Sequence, residues 1–98
     1  MTNLLEETIE VLNENGHGLS EIIYVICDGD EVPIPDFLRL ANIQYDNDYG
    51  AAEINMTLKV VGAGWWLERA EYDGSEWWDY REVIKKPSEI SVPKSFKI

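Results

Sequence analysis

The sequence predicts an α+β domain, in which an amphipathic helix and a short second helix pack on an antiparallel sheet that ends in a tryptophan-rich hairpin. Residues 4–14 repeat their apolar side chains with the period of an α-helix. Residues 21–27 form a short apolar, β-branched run, which is typical of a strand. Two aromatic runs flank Asp73-Gly74, a dipeptide that strongly favours a tight hairpin turn. Because 98 residues suffice for one core, we expect a single domain over residues 1–98.

The first predicted element is the amphipathic helix. Asn3 can cap its first turn, with Glu6 as the capping-box partner, and Gly16 can end it. At about 100° per residue, apolar side chains fall on one arc and acidic ones on the opposite arc. The acidic face includes Glu6, Glu10 and Glu14, spaced at i, i+4 and i+8 with no lysine or arginine among them. This face is either a solvated surface that keeps the protein soluble or a surface that meets basic residues of a partner.

Shorter elements follow the helix, and turn-forming residues separate them. Glycine, proline, aspartate and asparagine mark the turns, because they adopt or stabilise the backbone conformations that turns need. We expect Leu12 of the first helix and Val25 of the first strand to be buried. In chain order we predict a strand over 21–27, a turn at Asp28-Gly29-Asp30, a strand over 31–34, a helix over 37–41 capped by Asp36, a turn-rich stretch over 42–55, a strand over 56–61 and, after the hairpin, an extended tail over 86–98 held by Ile90, Val92 and Phe96.

The hairpin admits two registers. If Asp73-Gly74-Ser75 is the whole loop, Arg69 lies opposite Asp79, whereas a two-residue loop shifts every pair by one position. Because the shift changes every cross-strand partner, it decides which side chains stabilise the pair. The pattern is compatible with both registers.

All four tryptophans lie in the hairpin, as the doublets Trp65-Trp66 and Trp77-Trp78. Neighbouring residues of a strand point to opposite faces, so each doublet places one ring on each face of the sheet. One interpretation is that the rings supply core volume and cross-strand contacts. The other is that the outward rings anchor a partner protein.

The net charge of −11 is the strongest compositional feature, and it is unevenly distributed. Residues 1–58 carry 12 acidic residues and one basic residue, Arg39, whereas residues 59–98 carry seven of each. The excess of acidic residues in residues 1–58 argues against direct nucleic-acid binding, which needs lysine and arginine to neutralise phosphates. It favours a basic protein partner, because its field attracts cationic surfaces. The acidic candidates for this contact are Glu6, Glu10, Glu14, Asp28, Asp30, Asp46 and Asp48.

The sequence predicts no catalytic motif and no metal site. His17 is the single histidine and Cys27 the single cysteine, and nothing in their spacing indicates a catalytic pair or a zinc site. Cys27 is expected to be a small core residue. Residues 46–50 look like a calcium loop but place Gly50 at the third ligand position. A weak divalent-ion site there or at residues 28–31 remains the alternative. We therefore predict a protein that is not an enzyme and needs no cofactor.

Several short motifs carry a resemblance to a known family. They are Ala41-Asn42-Ile43, then Tyr45-Asp46, then Tyr49-Gly50, and finally residues 66–78, whose sequence is WLERAEYDGSEWW. Together they resemble a family of small acidic proteins of unknown function that occur in phages, prophages and other mobile elements. The resemblance covers residues 22–87 and implies a mobile-element setting, without an activity or catalytic residues.

Small acidic proteins of mobile elements are often inhibitors of host defence, and some mimic the charge of nucleic acids. By this analogy, the leading hypothesis is an anti-CRISPR-like inhibitor that blocks a nucleic-acid-binding site of a defence nuclease such as a Cas effector. The alternative is a phage accessory or structural interaction module that uses the tryptophan face, with the acidity serving solubility only. Either would act in the cytoplasm of the host cell, since the sequence has neither a membrane-spanning apolar run nor a signal-peptide pattern.

Overall fold

The computed structural model describes residues 1–47 and 50–98. Within these ranges two helices cover one face of a five-stranded antiparallel sheet, so the predicted α+β class is confirmed. The helices are α1 (Leu4–Glu14) and α2 (Ile34–Ala41), and a 3₁₀ turn at Leu19–Glu21 leads from α1 toward the sheet. The strands are β1 (Thr2–Asn3), β2 (Tyr24–Cys27), β3 (Asp30–Val32), β4 (Gln44–Tyr45), β5 (Lys59–Val61), β6 (Trp65–Tyr72) and β7 (Ser75–Glu82).

The core lies between the helices and the inner face of the sheet, whose strand order is β3-β2-β5-β6-β7. Val25, Val60 and Leu67 lie opposite one another on three neighbouring strands, and all three are fully buried. Leu12 of α1 is fully buried as well. The predictions for Leu12 and Val25 are therefore confirmed, and the apolar arc of α1 faces the core.

Two of the sheet's three hairpins turn on an Asp-Gly dipeptide, whereas Gly62-Ala63-Gly64 joins β5 to β6 in the third. Asp28-Gly29 joins β2 to β3, and Asp73-Gly74 joins β6 to β7. The four residues have φ values of 53°, 85°, 51° and 88° in chain order. Positive φ at both central positions defines a type I′ turn, whose twist matches that of the flanking strands. Glycine adopts this conformation without steric penalty, and aspartate tolerates it better than most residues do.

The β6–β7 hairpin thus has a two-residue loop, which decides between the two predicted registers. Arg69 lies opposite Trp78, and Leu67 lies opposite Tyr80. The pairing of Arg69 with Asp79, which a three-residue loop would produce, is not the one observed. Because side chains two residues apart share a face, Leu67, Arg69, Trp78 and Tyr80 all point toward the helices.

The second helix begins about one turn earlier than predicted. It spans Ile34–Ala41, and Pro33 occupies its N-cap position. Pro35 suits the first turn of a helix, where an N–H has no partner within the helix. The prediction that Asp36 caps the helix is wrong, because Asp36 lies inside the first turn and pairs with Arg39 at 3.2 Å. β3 therefore ends at Val32 rather than at residue 34, and Pro33 and Pro35 lie at the start of a helix.

Other boundaries differ from the prediction as well, and β2 begins at Tyr24 rather than at residue 21, because Leu19–Glu21 form the 3₁₀ turn. β5 begins at Lys59 rather than at residue 56, because the side-chain oxygen of Asn55 accepts hydrogen bonds from the N–H and the hydroxyl of Thr57. These bonds, at 2.9 and 2.7 Å, hold a turn ahead of the strand. In the stretch expected to be turn-rich, β4 pairs with β1, with Tyr45 opposite Thr2. This pairing places Tyr45 beside the start of α1.

Residues 83–98, here termed the basic segment, contain neither helix nor strand. They carry four lysines and one glutamate. Ile90, Val92 and Phe96 are 97%, 90% and 97% exposed. The prediction that these three residues hold the tail against the domain is therefore wrong.

Candidate functional site

The acidic candidates of α1 lie together on the exposed side of the helix. Glu6, Glu10 and Glu14, here termed the acidic strip, are all exposed and line a shallow groove with Ile9 and Asn13. About 6 Å along the helix axis separates successive glutamates. Among the residues that the structure describes, no cation lies within ion-pair distance of these three carboxylates.

Polar contacts fix α1 to the rest of the domain. Asn3 Oδ1 accepts the N–H of Glu6 at 3.0 Å, so the predicted N-cap is confirmed. Asn3 Nδ2 donates to Asn42 Oδ1 at 3.0 Å. In the middle of the helix, Thr8 Oγ1 accepts the indole N–H of Trp78 at 2.9 Å and donates to a main-chain carbonyl of its own helix at 2.7 Å. These hydrogen bonds hold the helix that carries the acidic strip in a fixed position on the domain.

A buried arginine lies under α1 at the centre of a polar cluster. Arg69 Nη1 lies 3.1 Å from Glu7 Oε1, and Nη2 lies 3.0 Å from Glu76 Oε1 and 3.1 Å from the Tyr45 hydroxyl. The side chains of Arg69 and Glu76 are fully buried. The guanidinium carbon also lies 4.7 Å from the centroid of the Trp78 ring, which is a cation–π geometry. We term Glu7, Tyr45, Arg69 and Glu76 the Arg69 cluster.

Further hydrogen bonds satisfy the carboxylates of this cluster. Glu76 accepts the main-chain N–H groups of Glu53 and Ile54 at 2.7 and 3.2 Å. Glu7 accepts the hydroxyl hydrogen of Tyr45 at 2.7 Å. The cluster therefore joins α1, β4, β6, β7 and the segment ahead of β5 into one unit.

Burial and charge shift two pKa values in the cluster. Burial, followed by the hydrogen bond to Glu7, raises the pKa of Tyr45 to about 12. Burial lowers the pKa of Arg69, but the hydrogen bond to Tyr45 and the charge of Glu7 outweigh it, so the Arg69 pKa is raised. Tyr45 is thus neutral and Arg69 charged near neutral pH. Because a fully buried guanidinium cannot contact a substrate in solution, we assign the cluster a structural role.

Asp28 and Asp30 lie away from the acidic strip. They belong to the β2–β3 hairpin at one edge of the sheet, whereas α1 contacts β7 at the other edge. The Asp28 carboxylate accepts hydrogen bonds from Asn55 Nδ2 at 3.0 and 3.1 Å. Thr57 Oγ1, whose hydrogen is donated to Asn55, lies 3.1 Å from the same carboxylate. The Asp28 N–H donates to Thr57 Oγ1 at 2.7 Å. These bonds stabilise the positive φ of Asp28, while Asp30 is exposed beside it.

The remaining acidic candidates follow β4. The main-chain N–H of Asp46 donates to the Glu53 carboxylate at 2.8 Å, and Asp48 lies outside the described residues. In the two ranges that the structure covers, no three His, Cys, Asp or Glu side chains are grouped so as to hold a metal ion. Cys27, expected in the core, is half-buried and packs against the core.

The tryptophans divide between the two faces as the alternation predicts. Trp65 and Trp78 point to the core and are 3% and 4% exposed. Trp66 is half-buried and Trp77 is 39% exposed on the outer face, where the Trp77 indole N–H donates to Asp79 at 2.9 Å. Trp66 and Trp77 are therefore accessible to a partner, whereas Trp65 and Trp78 are packed in the core and are not.

His17 has a role that the sequence analysis did not predict. Its ring stacks on Trp65 with centroids 4.6 Å apart, and its Nε2 lies 2.9 Å from the Tyr80 hydroxyl. Nδ1 lies 3.0 Å from Glu21 Oε1. This hydrogen bond, followed by one from the Gly18 N–H, lowers the pKa of Glu21. The sequence signal is a glutamate four residues after the histidine, but only the fold brings Trp65 and Tyr80 beside them.

Comparisons with known proteins do not assign the chain to a family. No protein-family model, no curated protein and no solved structure matches it. Across residues 1–47 and 50–98, no helix is both long enough and apolar enough to cross a membrane. The function is therefore inferred from the surface and its charges.

Proposed function

We propose that this protein is a non-enzymatic binding protein whose acidic strip docks on a basic, nucleic-acid-binding surface of a partner protein and blocks that surface. One observation carries the proposal. Glu6, Glu10 and Glu14 are exposed at one-turn spacing, and none forms an ion pair with another described residue. Like charges at this spacing destabilise a helix by about 0.2–0.5 kcal/mol per pair. When a cationic partner binds, its charges would offset the repulsion between the three glutamates.

The domain has too few basic residues to compensate its negative charge. Residues 1–82 carry 18 acidic and four basic residues, which is a net charge of −14. Of the four bases, Arg69 is buried in its cluster, and Arg39 and Arg81 form ion pairs with nearby acids. The domain therefore presents a negative field, which speeds its encounter with a cationic surface.

The helix presents the strip in a fixed geometry. The Arg69 cluster and the bond between Thr8 and Trp78 hold α1 against the sheet. A surface that is already ordered loses little conformational entropy when it binds. From Glu6 to Glu14 the strip extends over about 12 Å. Complementary charges along this length would set the orientation of the complex.

The resemblance to mobile-element proteins favours a defence nuclease, such as a Cas effector, as the partner. The nucleic-acid channel of such an effector is positively charged, because it holds the phosphates of the guide and target strands. This protein would compete with guide RNA or target DNA for that channel. The same charge argues against a direct contact between this protein and nucleic acid.

A charge-removal variant with a matched control tests the proposal. Glutamine keeps the size and the helix propensity of glutamate but removes its charge. The strip variant combines Glu6→Gln, Glu10→Gln and Glu14→Gln. The control also removes three charges, at exposed positions outside α1, and combines Glu31→Gln, Glu71→Gln and Glu82→Gln.

Both variants and the parent are assayed for inhibition of guide loading and target binding by a panel of purified Cas effectors. We expect the parent and the control to inhibit alike and the strip variant to associate more slowly and inhibit more weakly. Added salt should weaken the parent, because exposed charges are screened beyond about 8 Å at physiological ionic strength. If a folded strip variant inhibits as well as the parent, the proposal is wrong.

A second candidate function is an interaction module that uses the outer face of the sheet. Within the described ranges neither helix covers this face, and Tyr24, Val61 and Trp66 form one row across its strands. Exposed aromatic residues are frequent anchors of protein interfaces. If Trp77→Ser abolishes partner binding while the strip variant binds like the parent, this candidate replaces the first. A phage accessory or structural protein would fit such a module.

A further inference from the structure

We propose that the basic segment of one copy docks in an apolar cavity between α2 and the sheet of a second copy, so that two copies exchange segments and form a dimer. The acidic strip takes no part in this exchange. The chain combines an exposed apolar, cationic segment with an anionic domain that has an open apolar cavity.

The basic segment has the alternating apolar pattern of a β-strand, although it belongs to no sheet. Ile90, Val92, Phe96 and Ile98 all occupy even-numbered positions, and no large apolar residue lies at the odd-numbered positions between them. Alternation with a period of two places the four side chains on one side of an extended chain, with Lys94 between Val92 and Phe96 on the same side. Ile90 and Phe96 are each 97% exposed. Because large exposed apolar patches bordered by polar residues mark interaction sites, this side of the segment indicates a docking contact.

The acceptor is an apolar cavity of about 230 Å³ on the α2 side of the domain. Val32, Leu40, Ile43 and Leu58 are among the side chains that line it. Leu40 and Ile43 are 55% and 47% exposed, so the cavity is open to solvent beside them. An apolar cavity of roughly 150 Å³ is sufficient to bind benzene. This cavity therefore has room for the phenyl ring of Phe96.

Charge selects the basic segment as the occupant. The segment has a net charge of +3, from four lysines and one glutamate, against −14 for residues 1–82. Lys94 and Lys97 lie on either side of Phe96. Glu53 is part of the cavity lining. An aromatic ring between two cations thus matches an apolar cavity with an acidic residue at its wall.

The occupant comes from a second copy, because the apolar side chains of the segment from Ile90 onward are exposed rather than packed on their own domain. Phe96 is 97% exposed, and the segment leaves from β7, at the sheet edge far from the β2 strand that α2 contacts. When two copies exchange identical segments, the same contact forms twice around a twofold axis. The reciprocal exchange closes the assembly at two copies.

Three single substitutions in the full chain test the exchange. Phe96→Ser removes the docking side chain, and Leu40→Arg places a bulky charge beside the cavity, at a position exposed enough to tolerate it. Ile84→Ser is the matched control, because Ile84 is 94% exposed but lies ahead of the docking residues. Sedimentation equilibrium measures the molecular mass from about 1 μM to about 1 mM, which covers weak to moderate affinities.

We expect the parent and Ile84→Ser to dimerise equally, and Phe96→Ser and Leu40→Arg each to weaken dimerisation by about tenfold or more. An equimolar mixture of these two variants should dimerise better than either alone, because Phe96 of the Leu40→Arg copy still meets an intact cavity. A parent that stays monomeric at about 1 mM, including one whose own segment fills the cavity, overturns the proposal. A dimer that Phe96→Ser and Leu40→Arg leave unchanged overturns it as well.

Discussion

Arg69 Nη1 lies 3.1 Å from Glu7 Oε1, and this ion pair joins β6 to α1 across 62 residues of sequence. The same guanidinium lies 3.0 Å from the buried carboxylate of Glu76, so one cation serves two carboxylates from different elements. Removing one partner of a buried ion pair leaves an uncompensated charge in the protein interior. The domain should therefore be far more sensitive to substitution in this cluster than to loss of a surface ion pair.

Substitution of Arg69 should strongly destabilise the domain. Arg69→Met retains an aliphatic side chain but leaves Glu76 buried without its cation, so the free energy of unfolding should fall by about 3–5 kcal/mol. Arg81→Met is the control, because it removes an exposed ion pair with Glu68 on the same two strands and should cost about 1 kcal/mol or less. Urea unfolding followed by circular dichroism measures both losses. Similar small losses for the two variants would contradict the burial of the cluster.

Stability should fall between about pH 10 and about pH 12 because of Tyr45. Its pKa is about 12 in the folded protein, against about 10 for an unfolded chain. The folded state keeps a proton that the unfolded state loses, so this contribution is complete below about pH 10 and disappears as the pH rises toward about 12. The slope should be about 1.4 kcal/mol per pH unit at most.

The Tyr45→Phe variant provides the control for this pH dependence. It keeps the ring but removes the titrating hydroxyl, so its free energy of unfolding should fall less steeply over the same pH range. Tyr80, whose pKa burial and Glu82 also raise, remains in the variant and leaves some slope. Urea unfolding at a series of alkaline pH values measures the difference. Parallel slopes for the parent and Tyr45→Phe would rule out Tyr45 as the source.

Truncation of Leu12 should show how firmly α1 packs. Leu12 is fully buried, so Leu12→Ala should lower the free energy of unfolding by about 2–5 kcal/mol. Leu40→Ala makes the same chemical change in α2 at a position that is 55% exposed, and it should cost about 0.5 kcal/mol or less. Denaturant unfolding at low protein concentration compares the two. A cost below about 0.5 kcal/mol for Leu12→Ala would mean that α1 does not pack as described.

Gly62 should not tolerate a side chain, because the ring of Trp65 occupies the space that the side chain would need. A Cβ atom at Gly62 would overlap the indole ring of Trp65, which is buried and stacked on His17. Gly62→Ala should therefore cost about 1–3 kcal/mol and shift the tryptophan fluorescence. Gly18→Ala is the control, because Gly18 has an extended φ of −136° and no described atom within 4 Å of an added Cβ. Thermal unfolding that is equal for both variants would contradict the close contact.

The elements that sequence analysis predicted well depend on residues close together in the chain. The Asn3 cap, the alternation in the tryptophan doublets and the two Asp-Gly turns each involve only a few consecutive residues. The start of α2 was missed because Pro33 and Pro35 can either end a strand or begin a helix. Choosing between these outcomes requires the packing of Phe37 and Ala41 against the core, which is a tertiary contact.

The candidate site shows the same division. The acidic strip follows from helical spacing alone, so it was predictable from residues 6–14. The Arg69 cluster was not, because Glu7 and Tyr45 reach Arg69 from elements distant in sequence. The role of Asp28 also depends on a remote segment, since its turn is stabilised by Thr57. Only three-dimensional contacts distinguish the carboxylates that accept hydrogen bonds within the domain from those that face the solvent.

The two-residue loops of the β2–β3 and β6–β7 hairpins have a consequence for the order of folding. Each hairpin closes between neighbouring residues, and isolated hairpins form in about 1–10 μs. By contrast, Tyr24 pairs with Val61 and Thr2 pairs with Tyr45, so both contacts must overcome the entropy of closing a long loop. We infer that the hairpins form first and that the meeting of β2 with β5 limits the folding rate. In stopped-flow experiments a shorter connection between α2 and β5 should therefore accelerate folding, whereas Arg69→Met should mainly accelerate unfolding.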